Sequence, residues 1–180
     1  MIKGKNINLR TIREKDLKEF HILDTDISNR GDYYMFEITT ESGLKKWYNE
    51  TGLWDDNFGR MLIVDKEDKI LGYINYFKSI PYFDAYEIGY ILFDEHSHKK
   101  GIMTETLELF AEYLFRAKKI NRLEIRTHPD NIASQKVAEK CGFLFEGTIR
   151  GAVMRKDSYC DLKQYSLTRK DYYSSKTDDK

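Results

Sequence analysis

Residues 86–105 read YEIGYILFDEHSHKKGIMTE, and three different patterns follow one another along this stretch. Residues 86–93 are almost continuously apolar, which predicts a strand covered on both faces near the centre of a sheet. A polar loop follows, and apolar residues then recur at helical spacing between residues 104 and 117. The stretch therefore predicts a central strand that leads through a loop into an amphipathic helix.

The loop before this helix has the features of an anion-binding site. The first N–H groups of a helix have no partner within the helix, and the helix dipole favours negative charge at that end. Gly101 lets the backbone approach a ligand closely, and Lys99 and Lys100 add positive charge. We therefore expect this loop to bind a phosphate.

The segment that follows predicts a second strand and helix beside the first pair. Residues 122–127 are strand-like, and residues 132–141 are helical, with Asn131 as the N-cap and Gly142 as the C-cap. Successive strands joined by one helix end at the same edge of a sheet, where ligands bind. The phosphate loop and Asn131 are therefore expected to belong to one site.

The rest of the chain predicts further strands and helices around this unit. Thr11 and Glu14 form a T-x-x-E capping box, which predicts that a helix starts there. Residues 33–58 are rich in aromatic side chains interleaved with polar ones, as in the wall of a pocket. The other predicted elements are a helix over 42–51 and strands over 61–64, 70–77, 146–154 and 159–167.

Composition limits the classes of partner. The 180 residues contain 30 Lys and Arg against 30 Asp and Glu, so no overall charge attracts nucleic acid or an anionic membrane. We expect a single domain over residues 1–170, a polar C-terminal tail over 171–180, and a cytoplasmic location. Cys141 and Cys160 are expected to be free thiols, and no spacing of Cys and His predicts a metal site.

Three motifs, taken in order, resemble those of the GNAT N-acetyltransferases, most of all the RimJ/RimL-like branch. They are residues 98–105 (HKKGIMTE), 131–134 (NIAS) and 139–147 (EKCGFLFEG). The resemblance extends over most of the chain. It implies an α+β fold with a mixed, mostly antiparallel central sheet flanked by helices. It also implies that the sheet splays between two central strands to admit the pantetheine arm of acetyl-CoA.

The resemblance also implies which residues bind coenzyme A. The pyrophosphate would contact mainly backbone amides of the helix start, in residues His98, Lys99, Lys100, Gly101, Ile102 and Met103. Ile91, Leu92 and Phe93 would pair with the amides of the pantetheine arm, and an N–H near Leu92 would stabilise the oxyanion. Asn131 would hydrogen-bond the arm further along.

Catalysis would be direct attack of a neutral amine on the thioester, because neither cysteine has a recognisable activating partner. Ser134 stands at the position that the RimL-like branch uses in place of the acid that protonates the departing thiolate. It is either that acid or a positioning group. Glu87 is the candidate base, with a salt-bridge role as its alternative, and Glu37 and Asp84 are weaker candidates.

The acceptor pocket is expected to draw on the aromatic segment. Wall candidates are Tyr33, Trp47, Trp54 and Phe58, and Arg30, Asp32 or Arg60 could select the charge of the substrate. The histidines His21, His96 and His128 are expected at the surface.

The function indicated is acetyl-CoA-dependent acetylation of a primary amine, either a protein N-terminus or a small molecule. A polyamine or amino-sugar acetyltransferase and a non-catalytic acyl-CoA sensor are the alternatives, and a homodimer is possible.

Overall fold

The computed structural model describes residues 1–33, 38–155 and 157–177. Among them, eight strands form one sheet in the order β1-β2-β3-β4-β5-β6-β8-β7. The strands are β1 (Ile2–Lys3), β2 (Asn8–Thr11), β3 (Phe58–Val64), β4 (Ile70–Phe77), β5 (Ala85–Leu92), β6 (Arg122–Thr127), β7 (Leu144–Arg155) and β8 (Ser158–Thr168). The helices are α1 (Leu17–Thr25), α2 (Glu41–Thr51), α3 (Ile102–Ala117), α4 (Ile132–Lys140) and α5 (Arg169–Thr177).

The predicted mixed sheet is confirmed. Every neighbouring pair of strands is antiparallel except β5 and β6, which run parallel. The connection between these two strands contains α3, as the apolar spacing of residues 104–117 predicts. The apolar side chains of α3 are buried against the sheet; Leu107, Phe110 and Leu114 are each 0% exposed.

The two faces of the sheet have separate cores. Strands β3, β4 and β5 contribute to both cores, because side chains alternate between the two faces of a strand. The larger core contains the buried side of α3, and the smaller core contains Phe20 of α1 and Leu44 of α2. The side of the sheet with the larger core is the α3 face, and the side with the smaller core is the α1/α2 face.

The predicted start of the first helix is wrong. Thr11 is the last residue of β2, and a short 3-10 turn over Glu14–Asp16 precedes α1. The carboxylate of Asp16 accepts a hydrogen bond from the Arg13 N–H at 2.8 Å. Asp16 is held in place by the buried guanidinium of Arg10, which is 2.6 Å away, and this contact depends on tertiary structure that a local motif does not contain.

The segment predicted as a polar tail from residue 171 forms most of α5. The ring of Tyr172 is 8% exposed and lies 5.1 Å from the ring of Phe115 on α3. Tyr172 thus packs the last described helix on the larger core, and Arg169 at the start of this helix also donates to the carbonyls of Ile120 and Lys118. The sequence pattern is too polar to show this contact.

Candidate active site

The parallel strands β5 and β6 pair only at their beginnings. Their register joins Ala85 to Arg122, Tyr86 to Leu123 and Glu87 to Glu124. Beyond these three pairs β5 continues to Leu92 and β6 to Thr127 with no pairing between them in the part of the chain that the structure describes. The sheet therefore opens into a gap at the carboxyl ends of its two central strands.

Residues Ile91 and Leu92 lie on the part of β5 that borders this gap. The strand remains paired on its other side, with Ile91 opposite Tyr73 of β4. The edge of β5 toward β6 can thus pair with an extended ligand. Phe93 lies just past the strand, and its N–H donates to the carbonyl of Leu71 at 2.9 Å, so this N–H is already used.

The loop between β5 and α3 has the conformation of an open helix start. Gly101 is the N-cap with φ of 77°, and no side chain caps the helix. A Cβ at Gly101 would meet nothing within 4 Å, so the space beside the backbone is open. Lys99 is also left-handed, with φ of 60°. The N–H groups of Ile102 and Met103, in the first turn, remain available to an anion.

The first acidic residue of α3 is turned away from this site. The Glu105 carboxylate accepts hydrogen bonds from the backbone N–H of Asn6 at 2.9 Å and from its side chain at 2.8 Å. Burial acts to raise the pKa of Glu105, but these hydrogen bonds outweigh burial and lower it. The anionic side chain is thereby fixed on the N-terminal segment. His98, Lys99 and Lys100, in the loop before α3, are exposed.

Asn131 and Ser134 lie at the start of α4, which follows β6 and faces the same end of the sheet. The side-chain oxygen of Asn131 accepts the N–H of Ser134 at 3.1 Å, which confirms Asn131 as the N-cap. The Ser134 hydroxyl lies 2.9 Å from the Tyr90 hydroxyl of β5. This contact joins α4 to β5 across the gap, and the sequence analysis did not identify Tyr90 as a site residue.

Glu87 lies at the last β5–β6 pair, where the gap begins. Its carboxylate forms an ion pair with Arg126, which also binds the buried Glu124 at 2.9 Å. Burial raises the pKa of Glu87 above 4.5, the charge of Arg126 acts to lower it, and that of Glu124 acts to raise it. Both predicted features of Glu87, partial burial and an ion pair, are thus present together.

The predicted wall residues do not all come together. Tyr33 stacks on His128 at 5.2 Å beside the end of β6, and the guanidinium of Arg155 lies 5.6 Å from the Tyr33 ring. Trp47 and Phe58 lie 4.7 Å apart on the α1/α2 face, and the Arg60 guanidinium lies 5.8 Å and 5.3 Å from their respective rings. His128, on which the Tyr33 ring stacks, is half-buried, whereas the sequence predicts it at the surface.

The placement of Trp54 differs from the prediction. Its ring contacts Tyr76 at 5.3 Å and Tyr113 of α3 at 5.9 Å, so it packs against the larger core on the α3 face. Gly52 and Leu53 are both left-handed, and this conformation turns the chain between Trp47 and Trp54. Trp54 is therefore separated by the sheet from Trp47 and Phe58.

The remaining polar candidates have structural contacts or lie outside the described residues. Arg30 donates to the carbonyl of Asp24 at 2.7 Å, and His21 lies 2.9 Å from the carbonyl of Thr39. The carbonyl of Asp84 accepts the Asn121 N–H at 2.7 Å. Glu37 falls outside the residues that the structure describes.

The cysteines do not form an activated nucleophile. Cys141 and Cys160 are free thiols. Burial raises the pKa of Cys141 to about 12, with the charge of Glu108 acting in the same direction, so this thiol stays protonated at neutral pH. The described residues include no group of three or more His, Cys, Asp or Glu side chains placed to bind a metal. Within the same residues, no helix has both the length and the apolar character needed to cross a membrane.

Comparison with known sequences matches this chain to acetyltransferases. The family profile described as an acetyltransferase (GNAT) domain matches residues 6–144. A Bacillus subtilis protein named "Probable N-acetyltransferase YjcK" is 31% identical, over 83% of this chain and 87% of its own. The ribosomal-protein-serine acetyltransferase of Escherichia coli is 25% identical, over 91% of this chain and 93% of its own.

Solved structures show the same fold. The spermidine N-acetyltransferase of Vibrio cholerae, in complex with CoA and spermine, superposes with a TM-score of 0.81 at 20% identity and covers 93% of this chain and 98% of its own. RimL, a ribosomal alpha-N-protein acetyltransferase in complex with coenzyme A, gives 0.78 at 23%, with 92% and 95% covered.

The family profile and the curated relatives place the chain in the class of acetyltransferases. The chain belongs to the GNAT acetyltransferase family, as its three motifs predict. It is an N-acetyltransferase whose acetyl donor is acetyl-CoA. The residues present suit this donor, because β5 offers an unpaired strand edge and the start of α3 offers free N–H groups for a pyrophosphate.

Proposed function

We propose that this acetyltransferase acetylates the N-terminal amine of a protein or peptide by direct attack of the amine on the thioester. The observation that carries the proposal is the gap after Glu87 and Glu124, because it brings a cofactor edge, a carboxylate and a hydroxyl to one end of the sheet. The similarity to a ribosomal-protein-serine acetyltransferase over 91% of this chain supports the acceptor class.

The pyrophosphate is assigned to the loop of His98, Lys99, Lys100, Gly101, Ile102 and Met103. In this proposal the backbone N–H groups of Ile102 and Met103 donate to the phosphates, and Lys99 and Lys100 supply exposed positive charge. Ile91 and Leu92 pair with the pantetheine arm through the free edge of β5. Asn131 still has its NH₂ group for the arm, because its oxygen caps α4.

Glu87 is assigned as the base and Ser134 as the proton donor. Glu87 removes one proton from the amine while the amine nitrogen forms its bond to the acetyl carbon. Ser134 donates a proton to the sulfur as the carbon–sulfur bond breaks. Glu87 then releases the proton it gained to solvent, and Ser134 regains a proton from solvent, so the cycle closes. Tyr90 is hydrogen-bonded to Ser134, and burial raises the pKa of Tyr90, so its phenol stays protonated and holds the serine hydroxyl in place.

The charge of the acceptor side favours a peptide over a polyamine. The guanidinium groups of Arg60 and Arg155 contact aromatic rings, and neither is paired with a carboxylate among the residues that the structure describes. Unpaired positive charge repels a polycation and attracts an acidic peptide. Tyr33, Trp47 and Phe58 are assigned to the walls that contact the acceptor, whereas Trp54 is not.

The proposal is tested by release of free CoA thiol from acetyl-CoA with a set of amines. The set contains a serine-initiated peptide with acidic residues at its second and third positions, the same peptide with lysines there, an N-terminally blocked peptide, spermidine and glucosamine. We expect the acidic peptide to be the best acceptor and the blocked peptide to be inert. Faster turnover of spermidine or glucosamine would contradict the proposed acceptor class.

A further inference from the structure

We infer that Asn75 binds the attacking amine, a role that rests on the proposed function and extends it to a specific side chain. Asn75 lies in the middle of β4, opposite Arg60 of β3 and opposite Gly89 of β5. These three residues form a row across the sheet on the α1/α2 face. Gly89 is in the part of β5 that has lost its β6 partner, so the row leads directly to the gap.

The Asn75 amide has no hydrogen-bond partner among the described residues. The residue as a whole is 7% exposed. The atoms of its amide are not among the buried side-chain atoms that lack a partner, so the amide is not sealed away from the gap. An amide that is open at the border of a ligand-binding gap can bind the ligand through its oxygen or its N–H groups.

Gly89 keeps this amide accessible. A Cβ at Gly89 would lie 3.3 Å from both the oxygen and the nitrogen of the Asn75 amide. Gly89 is half-buried and has no left-handed conformation that would require glycine. The absence of a side chain at this position therefore leaves space directly over the amide, at the border of the gap.

The chemistry of Asn75 suits an uncharged primary amine. A side-chain amide offers one carbonyl oxygen as an acceptor and two N–H donors. The oxygen of Asn75 can accept one amine N–H and so orient the nitrogen lone pair toward the gap. Glu87 lies on the same face of β5 as Gly89, two residues before it. It is the diagonal neighbour of Asn75 across the β4–β5 pair, and residues in such positions are about 7–8 Å apart. One amine can therefore contact Asn75 while it loses a proton to Glu87, directly or through a water.

The test compares Asn75→Ala, Asn75→Leu and Gly89→Ala with the parent enzyme, using acetyl-CoA and the acidic serine-initiated peptide. We expect the KM for the peptide to rise at least tenfold in each variant while the Kd for CoA, measured by calorimetry, stays within twofold of the parent value. Asn75→Leu should keep the melting temperature, because a leucine of similar size suits a position that is 7% exposed. Asn49→Ala removes an exposed amide from α2 and is the matched control.

A peptide KM within twofold of the parent value in Asn75→Ala would overturn the inference while the proposed function stands. A lowered melting temperature together with lost CoA binding in both Asn75 variants would show a purely structural role and would also overturn it. If the parent enzyme transferred acetyl to no amine in the set, the proposed function and the role of Asn75 would fail together. The parent's turnover thus tests the first proposal, and the ratio of variant to parent tests the second.

Discussion

The hydroxyl of Tyr90 lies 2.9 Å from the hydroxyl of Ser134, and this hydrogen bond connects β5 to the first turn of α4 across the open part of the sheet. Tyr90 also lies 3.4 Å from the Ser134 carbonyl, so the phenol has two acceptors on one residue. A serine alone is a very weak acid. A buried, protonated tyrosine beside it fixes the orientation of the serine hydroxyl.

Removal of either hydroxyl should therefore slow acetyl transfer. We expect Ser134→Ala to lower kcat about 100-fold if the serine protonates the departing sulfur. Tyr90→Phe should lower it by a smaller factor, because the serine remains. The double variant should be no slower than Ser134→Ala, since the two groups act as one unit. Steady-state kinetics at saturating acetyl-CoA measures all three, and CoA affinity is the control. An additive double variant would separate the two roles, and an unchanged kcat in Ser134→Ala would leave it as a capping residue.

Gly101→Val should weaken CoA binding severely. The left-handed backbone at Gly101 strains any β-branched residue, and the new side chain would fill the open space beside the free N–H groups of α3. Gly52→Val is the matched control, because Gly52 has φ of 66° with nothing within 4 Å of its Cβ position and lies at the end of α2. Calorimetric titration with CoA should show a loss confined to Gly101→Val. Equal losses in both variants would indicate general destabilisation instead.

The pH dependence of kcat/KM should reflect Glu87. Because burial raises the pKa of this carboxyl, activity should fall on the acid side at a higher pH than an ordinary glutamate would give. The positive charge of Arg126 acts to lower that pKa, so Arg126→Gln should move the acid limb to still higher pH. Arg126→Lys, which keeps the charge, should move it less. Glu87→Gln should lose this limb altogether, and a profile identical to that of the parent would exclude Glu87 as the base.

Tyr172→Ala should destabilise the protein by about 2–4 kcal/mol, because it removes a buried aromatic ring that packs on Phe115. Tyr173→Ala is the control, since its side chain is 42% exposed and should matter much less. Urea unfolding measures the free energy of unfolding of both variants. Equal stabilities would mean that α5 contributes little and that residues 171–177 behave as the tail predicted from the sequence.

Much of the fold follows from periodicity. The strand over 122–127 and the helix over 132–140 agree with their predicted positions to within a residue, because the strand has a clear apolar alternation and the helix has a capping residue at its start. The order of the motifs around Gly101 and Asn131 is also enough to predict that both lie at one edge of the sheet. Local patterns and a βαβ connection therefore determine where the cofactor site is.

The pairs that define the acceptor side could not be predicted in the same way. The ion pair of Glu87 with Arg126 depends on strand register between residues 39 positions apart, and the row of Arg60, Asn75 and Gly89 depends on two further registers. Trp47 and Trp54 look alike in the sequence, yet two left-handed residues between them send the rings to opposite faces. Such contacts are fixed by tertiary geometry, so sequence spacing alone does not identify them.

The early end of pairing between β5 and β6 has a consequence for attempts to make this protein more heat-resistant. A substitution that allowed β6 to remain paired with β5 as far as Leu92 would add backbone hydrogen bonds, and a screen for thermal stability alone would reward it. The same substitution would fill the space that acetyl-CoA needs. Thermostability engineering of this enzyme therefore has to select for ligand binding as well, because its most rigid sheet would be an inactive one.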